Sequence, residues 1–168
     1  MFTQGEKIKI KEWYGQPLPK EFNLFIKLWI TFNGWYKLKY PNKNDMEVIN
    51  LCKNDSDLFM CYQRSFSYKQ FCDYLNKFGF ELDKNPLENL TRQRDKKLKL
   101  NRLENKNGEV SFLDNGSDAF KKYLDIIYRV RCNLIHCEKL PSNQRDKLLT
   151  ECSFKTLSVI MKQIINNF

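Results

Sequence analysis

"SDAFKKYLDIIYRVRCNLIH", residues 117–136, decides both the fold class and where function is sought. At 100° per residue, Phe120, Leu124, Ile127, Leu134 and Ile135 gather into one stripe, the mark of a helix packed on a core. Ser117 or Asp118 is expected to cap its start, and Pro141 ends any continuation. Arg131 falls into the apolar stripe, seven residues after Leu124 and four after Ile127. Asp125, Arg129, Asn133 and His136 follow one another on the opposite side in steps of four, four and three. His136 is the only histidine of the chain.

A guanidinium among apolar residues is costly unless it is partnered. Three readings fit Arg131: an ion pair across the bundle, a side chain reaching for solvent from a helix end, or a helix that stops before it.

On either side the pattern stays helical. "KEFNLFIKLWITFNGWYK" (20–37) carries Phe22, Phe25, Ile26, Trp29, Ile30 and Tyr36 at helical spacing, following Pro19. "DMEVINLCKN" (45–54) reads as a short helix with Asp45 as its cap. "SDLFMCYQRSFSYKQFCDYLNKFG" (56–79) reads as one helix or two joined near Ser65 to Ser67, with Gly79 suited to its C-terminal end. The last helix starts near Ser142. Residues 1–19 read as a short extended arm.

Residues 81–116 are too sparse in apolar side chains for a core helix and are expected to form a basic loop or insertion. Within them, "TRQRDKKLKLNRLENK" (91–106) holds seven basic and two acidic residues. The expectation is one all-α domain over 1–168, a bundle of four to six helices.

The chain has 168 residues, enough for a single domain with a substantial core. No apolar run approaches the roughly 20 residues that span a bilayer, and the first residues lack the apolar centre of a signal peptide. A cytoplasmic protein with no membrane contact is expected. Cys52, Cys61, Cys72, Cys132, Cys137 and Cys152 lack CxxC spacing and read as reduced, mostly buried thiols. Zinc at Cys132, His136 and Cys137 lacks an obvious fourth ligand, so no metal or other cofactor is expected.

The net charge of +9 fits a polyanionic partner. It also fits the Lys and Asn enrichment of an AT-rich coding sequence, since 22 of the 29 basic residues are Lys. The distribution of the charge is therefore the better guide. It singles out Arg92, Arg94, Lys96, Lys97, Lys99 and Arg102 as candidate RNA contacts.

"RCNLIH" resembles the Arg-x4-6-His motif of the HEPN superfamily, all-α bundles that include many metal-independent ribonucleases. Arg131 and Arg129 both satisfy the spacing to His136, with four and six residues between, and Asn133 lies inside the motif. "FIKLWITFNGWY" is similar to the early helix of some bacterial members. Members often have a polar residue after the arginine and a glycine after the histidine, where this chain has Cys132 and Cys137. Glu138 stands where one toxin subclass carries a tyrosine.

The resemblance implies an endoribonuclease, a toxin or antiviral effector, that cleaves RNA by attack of the 2′-OH on the adjacent phosphate. Its catalytic candidates are Arg131, His136, Asn133 and Arg129. Histidine, titrating near ~6.5, exchanges protons with the 2′-OH or the leaving oxygen. Arginine clamps phosphate oxygens, and Asn133 would hold a phosphate or fix the imidazole tautomer. The resemblance also implies a homodimer with a composite site, which would account for Arg131 if its stripe faces a partner subunit, and an antitoxin as a further partner. The alternative is a HEPN-like module that binds RNA, a nucleotide or a protein without cleavage.

Overall fold

A computed structural model describes residues 3–88, 97–136 and 140–168. Among them run seven helices: α1 Gln4–Gly15, α2 Lys20–Lys39, α3 Asp45–Cys52, α4 Ser56–Ser65, α5 Lys69–Lys84, α6 Ser117–Ile135 and α7 Gln144–Asn166. A two-stranded antiparallel ribbon, β1 Leu103–Glu104 and β2 Val110–Ser111, lies between α5 and α6. The molecule is an all-α bundle. No helix of the described residues is long and apolar enough to cross a membrane.

Helix α7 is the axis, packing against α2, α4, α5 and α6. Its buried hydroxyls are satisfied within the helix: Thr150, Ser153 and Thr156 donate to the carbonyls of Asp146, Leu149 and Cys152 at 2.7, 2.7 and 2.8 Å. Such back-bonding makes small polar residues compatible with a dry interface. The buried Tyr123 hydroxyl donates to Thr156 Oγ1 at 3.0 Å and fixes α6 on α7.

Five expectations are corrected. The arm at 1–19 contains α1, so the helix count exceeds the expected four to six. Ile8 and Ile10 of this helix are both exposed. The helix is held instead by the Trp13 ring, 6.0 Å from Phe22, and by Glu12, which accepts from the Ser142 amide at 2.9 Å.

The cap of α3 is Asn44, in a reciprocal pair with Glu47; the carboxylate of Asp45, one residue on, bonds elsewhere. The N-cap of α6 is likewise Gly116, not Ser117 or Asp118.

Gly79 does not end α5, which continues to Lys84. It is where Phe112 lies against the helix: a Cβ there would meet Phe112 Cγ at only 2.0 Å, so only glycine fits. Finally, residues 81–116 are not merely a surface insertion. The first four complete α5, a backbone bridge joins Leu87 to Leu98, and Leu87, Leu100 and Phe112 are buried in the core. The ribbon is pinned by the Phe112 amide on Asn76 Oδ1 at 2.8 Å and by Tyr62, whose hydroxyl donates to the Asp114 carbonyl at 2.8 Å.

Asp55 caps α4, accepting from the Asp57 and Leu58 amides at 3.0 Å. Lys39 Nζ lies 2.6 Å from its carboxylate, and Tyr40 donates to it at 2.5 Å. Burial alone would raise its pKa, but the Lys39 and Tyr40 bonds and the Leu58 amide outweigh burial and lower it. A carboxyl depressed in the folded state contributes stability above its unfolded value of about 3.9. That contribution is lost as pH falls through the folded value. Asp55→Asn keeps a cap but not the charge. Its melting temperature is expected below wild type at pH 7, and the gap should close towards pH 3. Parallel acid limbs in thermal melts would show that the Lys39 pair adds nothing.

Candidate functional site

Nine residues of α6 are buried: Ala119, Phe120, Tyr123, Leu124, Ile126, Ile127, Val130, Asn133 and Leu134. At 100° per residue they fill an arc of about 180°, from Asn133 at one edge to Leu124 at the other. Arg131 lies inside this arc. Arg129 and His136 lie outside it, beyond the Asn133 edge and about 20° from each other. Arg131 is about 140° round the helix from His136. The two arginines that satisfy the spacing thus occupy different sides of the helix.

Arg131 finds its partner within its own chain. Its Nη2 lies 3.1 Å from Asp45 Oδ2, and the guanidinium sits over the rings of Trp29 and Tyr128, 5.8 and 5.9 Å from their centroids. Only 19% of its side chain is exposed, and 26% of that of Asp45. Lys37 approaches the same carboxylate at 3.2 Å. Of the three readings of Arg131, the ion pair across the bundle is the one observed. Arg131 itself is covered within the chain by Trp29 of α2 and Asp45 of α3, so its place in the stripe needs no partner subunit to account for it.

The polar stripe also divides. Asn133, placed in the polar stripe with Arg129 and His136, is fully buried. Its Nδ2 donates to the Glu88 carbonyl at 3.0 Å, and its Oδ1 is buried with no hydrogen-bond partner. Asp125 pairs with Lys53 at 2.5 Å. Arg129 is half-buried, its Nη1 shielded from solvent, and His136 is exposed. His136 caps the C-terminus of α6, its amide bonded to the Cys132 carbonyl at 3.0 Å. Among the described residues the imidazole makes no hydrogen bond and stands open to solvent.

The bond from Asn133 to Glu88 brings the 87–98 bridge against α6 beside this face. Glu88 also pairs with Lys97 at 2.8 Å. Lys99 lies 3.4 Å from Asp83, and Arg102 lies 3.3 Å from Asp83 and 3.4 Å from Glu104. These three candidate RNA contacts are therefore engaged with carboxylates, in exposed pairs weak enough for a phosphate to replace. Arg92, Arg94 and Lys96 lie outside the described residues.

Cys52, Cys61 and Cys152 are buried, and Cys72 and Cys132 half-buried, all as free thiols. Burial pushes the Cys52 and Cys152 thiols up to about 12, which unsuits them for thiolate chemistry. Among the described residues no three metal-ligating side chains cluster, and Cys137 lies outside them.

Sequence reasoning missed Asp45 and Glu88, the partners of Arg131 and Asn133. The arginine in the apolar stripe signalled that a carboxylate was needed. Nothing in the sequence signalled which one, 86 residues away. No family model, curated protein or solved structure matches the chain.

Proposed function

We propose that the chain is a metal-independent endoribonuclease of the HEPN type, with Arg129 and His136 as its reacting pair and RNA as its substrate. One observation carries the reading: seven residues apart, these two side chains share the side of α6 that holds none of its buried residues. Two turns of helix set their Cα atoms about 10 Å apart. That is a span a long arginine side chain and an imidazole can close on one phosphodiester.

The substrate's 2′-oxygen would attack phosphorus as the P–O5′ bond breaks, leaving a 2′,3′-cyclic phosphate and a 5′-hydroxyl. The imidazole of His136 exchanges the proton, and the Arg129 fork binds the oxygens on which charge accumulates. Asn133, buried beneath, acts as a positioning residue that holds Glu88 beside the face.

A single histidine cannot be base and acid at the same instant. Two copies supply one imidazole for each role, so the reading implies a homodimer. Arg131, held by Asp45, is left out of the chemistry. That same pairing favours the second reading, an RNA-binding module without cleavage.

The test is incubation of the purified protein with single-stranded RNA in EDTA. Fragments ending in 2′,3′-cyclic phosphate are expected, with a 2′-O-methylated copy of the same RNA left intact. Retention of both RNAs uncut would favour the binding module. Cleavage of the methylated strand would exclude attack by the 2′-oxygen.

A further inference from the structure

A trough runs along the bundle between the C-terminal halves of α2 and α7, on a different surface from Arg129 and His136. One part, about 510 Å³, is lined by Gly34, Leu38, Ile165 and Phe168 among others. The other, about 440 Å³, adds Met60 and Arg64 of α4. Trp35, Lys39 and Phe168 border both, so the two parts run together. The apolar side chains are not tucked in: Leu38 is 87% exposed and Phe168 88%, with Ile165 and Met60 also exposed. Open space surrounds Gly34, where an added Cβ would touch nothing. Apolar side chains so exposed along a concave surface mark a place where another chain packs.

The charges around the trough say what kind of chain. Lys39 and Arg64 border it, Lys27 lies one turn before Thr31 on the same side of α2, and Lys162 adjoins Met161 on α7. Against these four cations stand Asp55 and Asp57, both paired with Lys39. Arg64 and Lys162 make no ion pair among the described residues. The surface is thus apolar at its centre and cationic at its margin, in a chain of net charge +9. A second copy docked through this trough would set cations against cations, which like-charge repulsion disfavours.

We propose that the trough binds an amphipathic helix of a partner protein, with leucine- or phenylalanine-type residues inserted beside Gly34 and acidic residues facing Lys27, Lys162 and Arg64. The span from Thr31 to Leu38, about 10 Å along α2, matches about two turns of such a helix. Recognition follows the helix-in-groove mode, with apolar anchors at i, i+3 or i+4, and i+7.

The experiment is a display selection of random 16-residue peptides on the full chain, followed by binding measurements on the enriched sequences. Expected are peptides with apolar residues at helical spacing and an excess of Asp and Glu. Their affinity should drop at least ~10-fold on a Leu38→Asp/Phe168→Asp protein. It should drop by a smaller factor, with steep salt dependence, on Lys27→Glu/Lys162→Glu. Both variants change exposed side chains, so their melting temperatures should match wild type.

The proposal is overturned if enriched peptides are neutral or basic, if none is enriched, or if both variants bind them as wild type does. It is equally overturned if the protein forms a dimer that Leu38→Asp/Phe168→Asp dissociates. It also falls if phosphatidylserine vesicles, and no peptide, bind in a way that variant abolishes.

Discussion

Exchange of His136 for alanine is expected to slow metal-free RNA cleavage by about 10²- to 10⁴-fold, the usual contribution of a side chain that moves a proton in the transition state. The melting temperature should not change, because the imidazole is exposed at the end of α6 and bonds to nothing else among the described residues. Arg129→Ala is expected to cost a similar factor, about 10²- to 10³-fold, by removing donors from the phosphate.

Arg131→Ala should give the opposite pattern. It removes the partner of Asp45 and the contacts with the Trp29 and Tyr128 rings. Breaking a fully buried pair costs roughly 3–5 kcal/mol. Here about a fifth of one side chain and a quarter of the other are exposed, and Lys37 stays on Asp45, so about 2 kcal/mol is expected. For a chain of this length that lowers the melting temperature by about 4–8 °C. Cleavage per folded molecule should persist. Kinetics and melts on the three variants decide the assignment. If Arg131→Ala abolished cleavage and left the melt alone, the chemistry would run through Arg131, and the Arg129 assignment would fall.

Gly79→Ala is expected to be the most damaging single methyl in the bundle. The added carbon would sit 2.0 Å from Phe112 Cγ and 2.4 Å from its Cβ. Alanine's better helix propensity returns up to about 1 kcal/mol. Overpacking at this depth costs about 3 kcal/mol or more, since Phe112 cannot simply turn aside: its amide is tied to Asn76 and its ring packs edge-on to Phe80 at 5.1 Å. The net loss should lower the melting temperature by about 4–8 °C.

Phe112→Ala alone should cost about 3–5 kcal/mol, as for other buried phenylalanines. The two changes must couple. With the ring gone, the alanine at 79 has only the Cβ of residue 112 to displace, so the double variant should be more stable than the sum of the singles by at least ~1 kcal/mol. Additive denaturation energies would mean that the close approach of the ribbon to α5 is not what excludes a side chain at 79.

Much of the architecture was legible in the chain. The stripes of α2 and α6 and the apolar spacing of α7 are local properties, and helical periodicity alone reports them. Helix α1 was not legible, because it docks through Trp13 and Glu12 and buries no stripe that a wheel could find. "NGEVSFLDNG" (107–116) reads as a short extended piece between turns, and β2 lies within it, but the burial within residues 81–116 was hidden. Leu87 and Leu100 stand singly in a mostly polar stretch outside the strands, and Phe112, just past β2, is core through its contacts with Gly79 and Phe80 of α5.

The candidate site divides in the same way. That Arg129, Arg131, Asn133 and His136 come close together along one helix is a matter of spacing, and so is Arg131's position among apolar residues. Which of them meet solvent is not. Asp45 of α3 takes Arg131, and the Glu88 carbonyl takes Asn133, because a charge or an amide leaving water needs a specific partner and folding supplies it from 86 and 45 residues away. Periodicity fixes a side chain's direction around its own helix. Which neighbour covers that direction is settled only when the helices pack, and here the packing leaves Arg129 and His136 outside the buried arc.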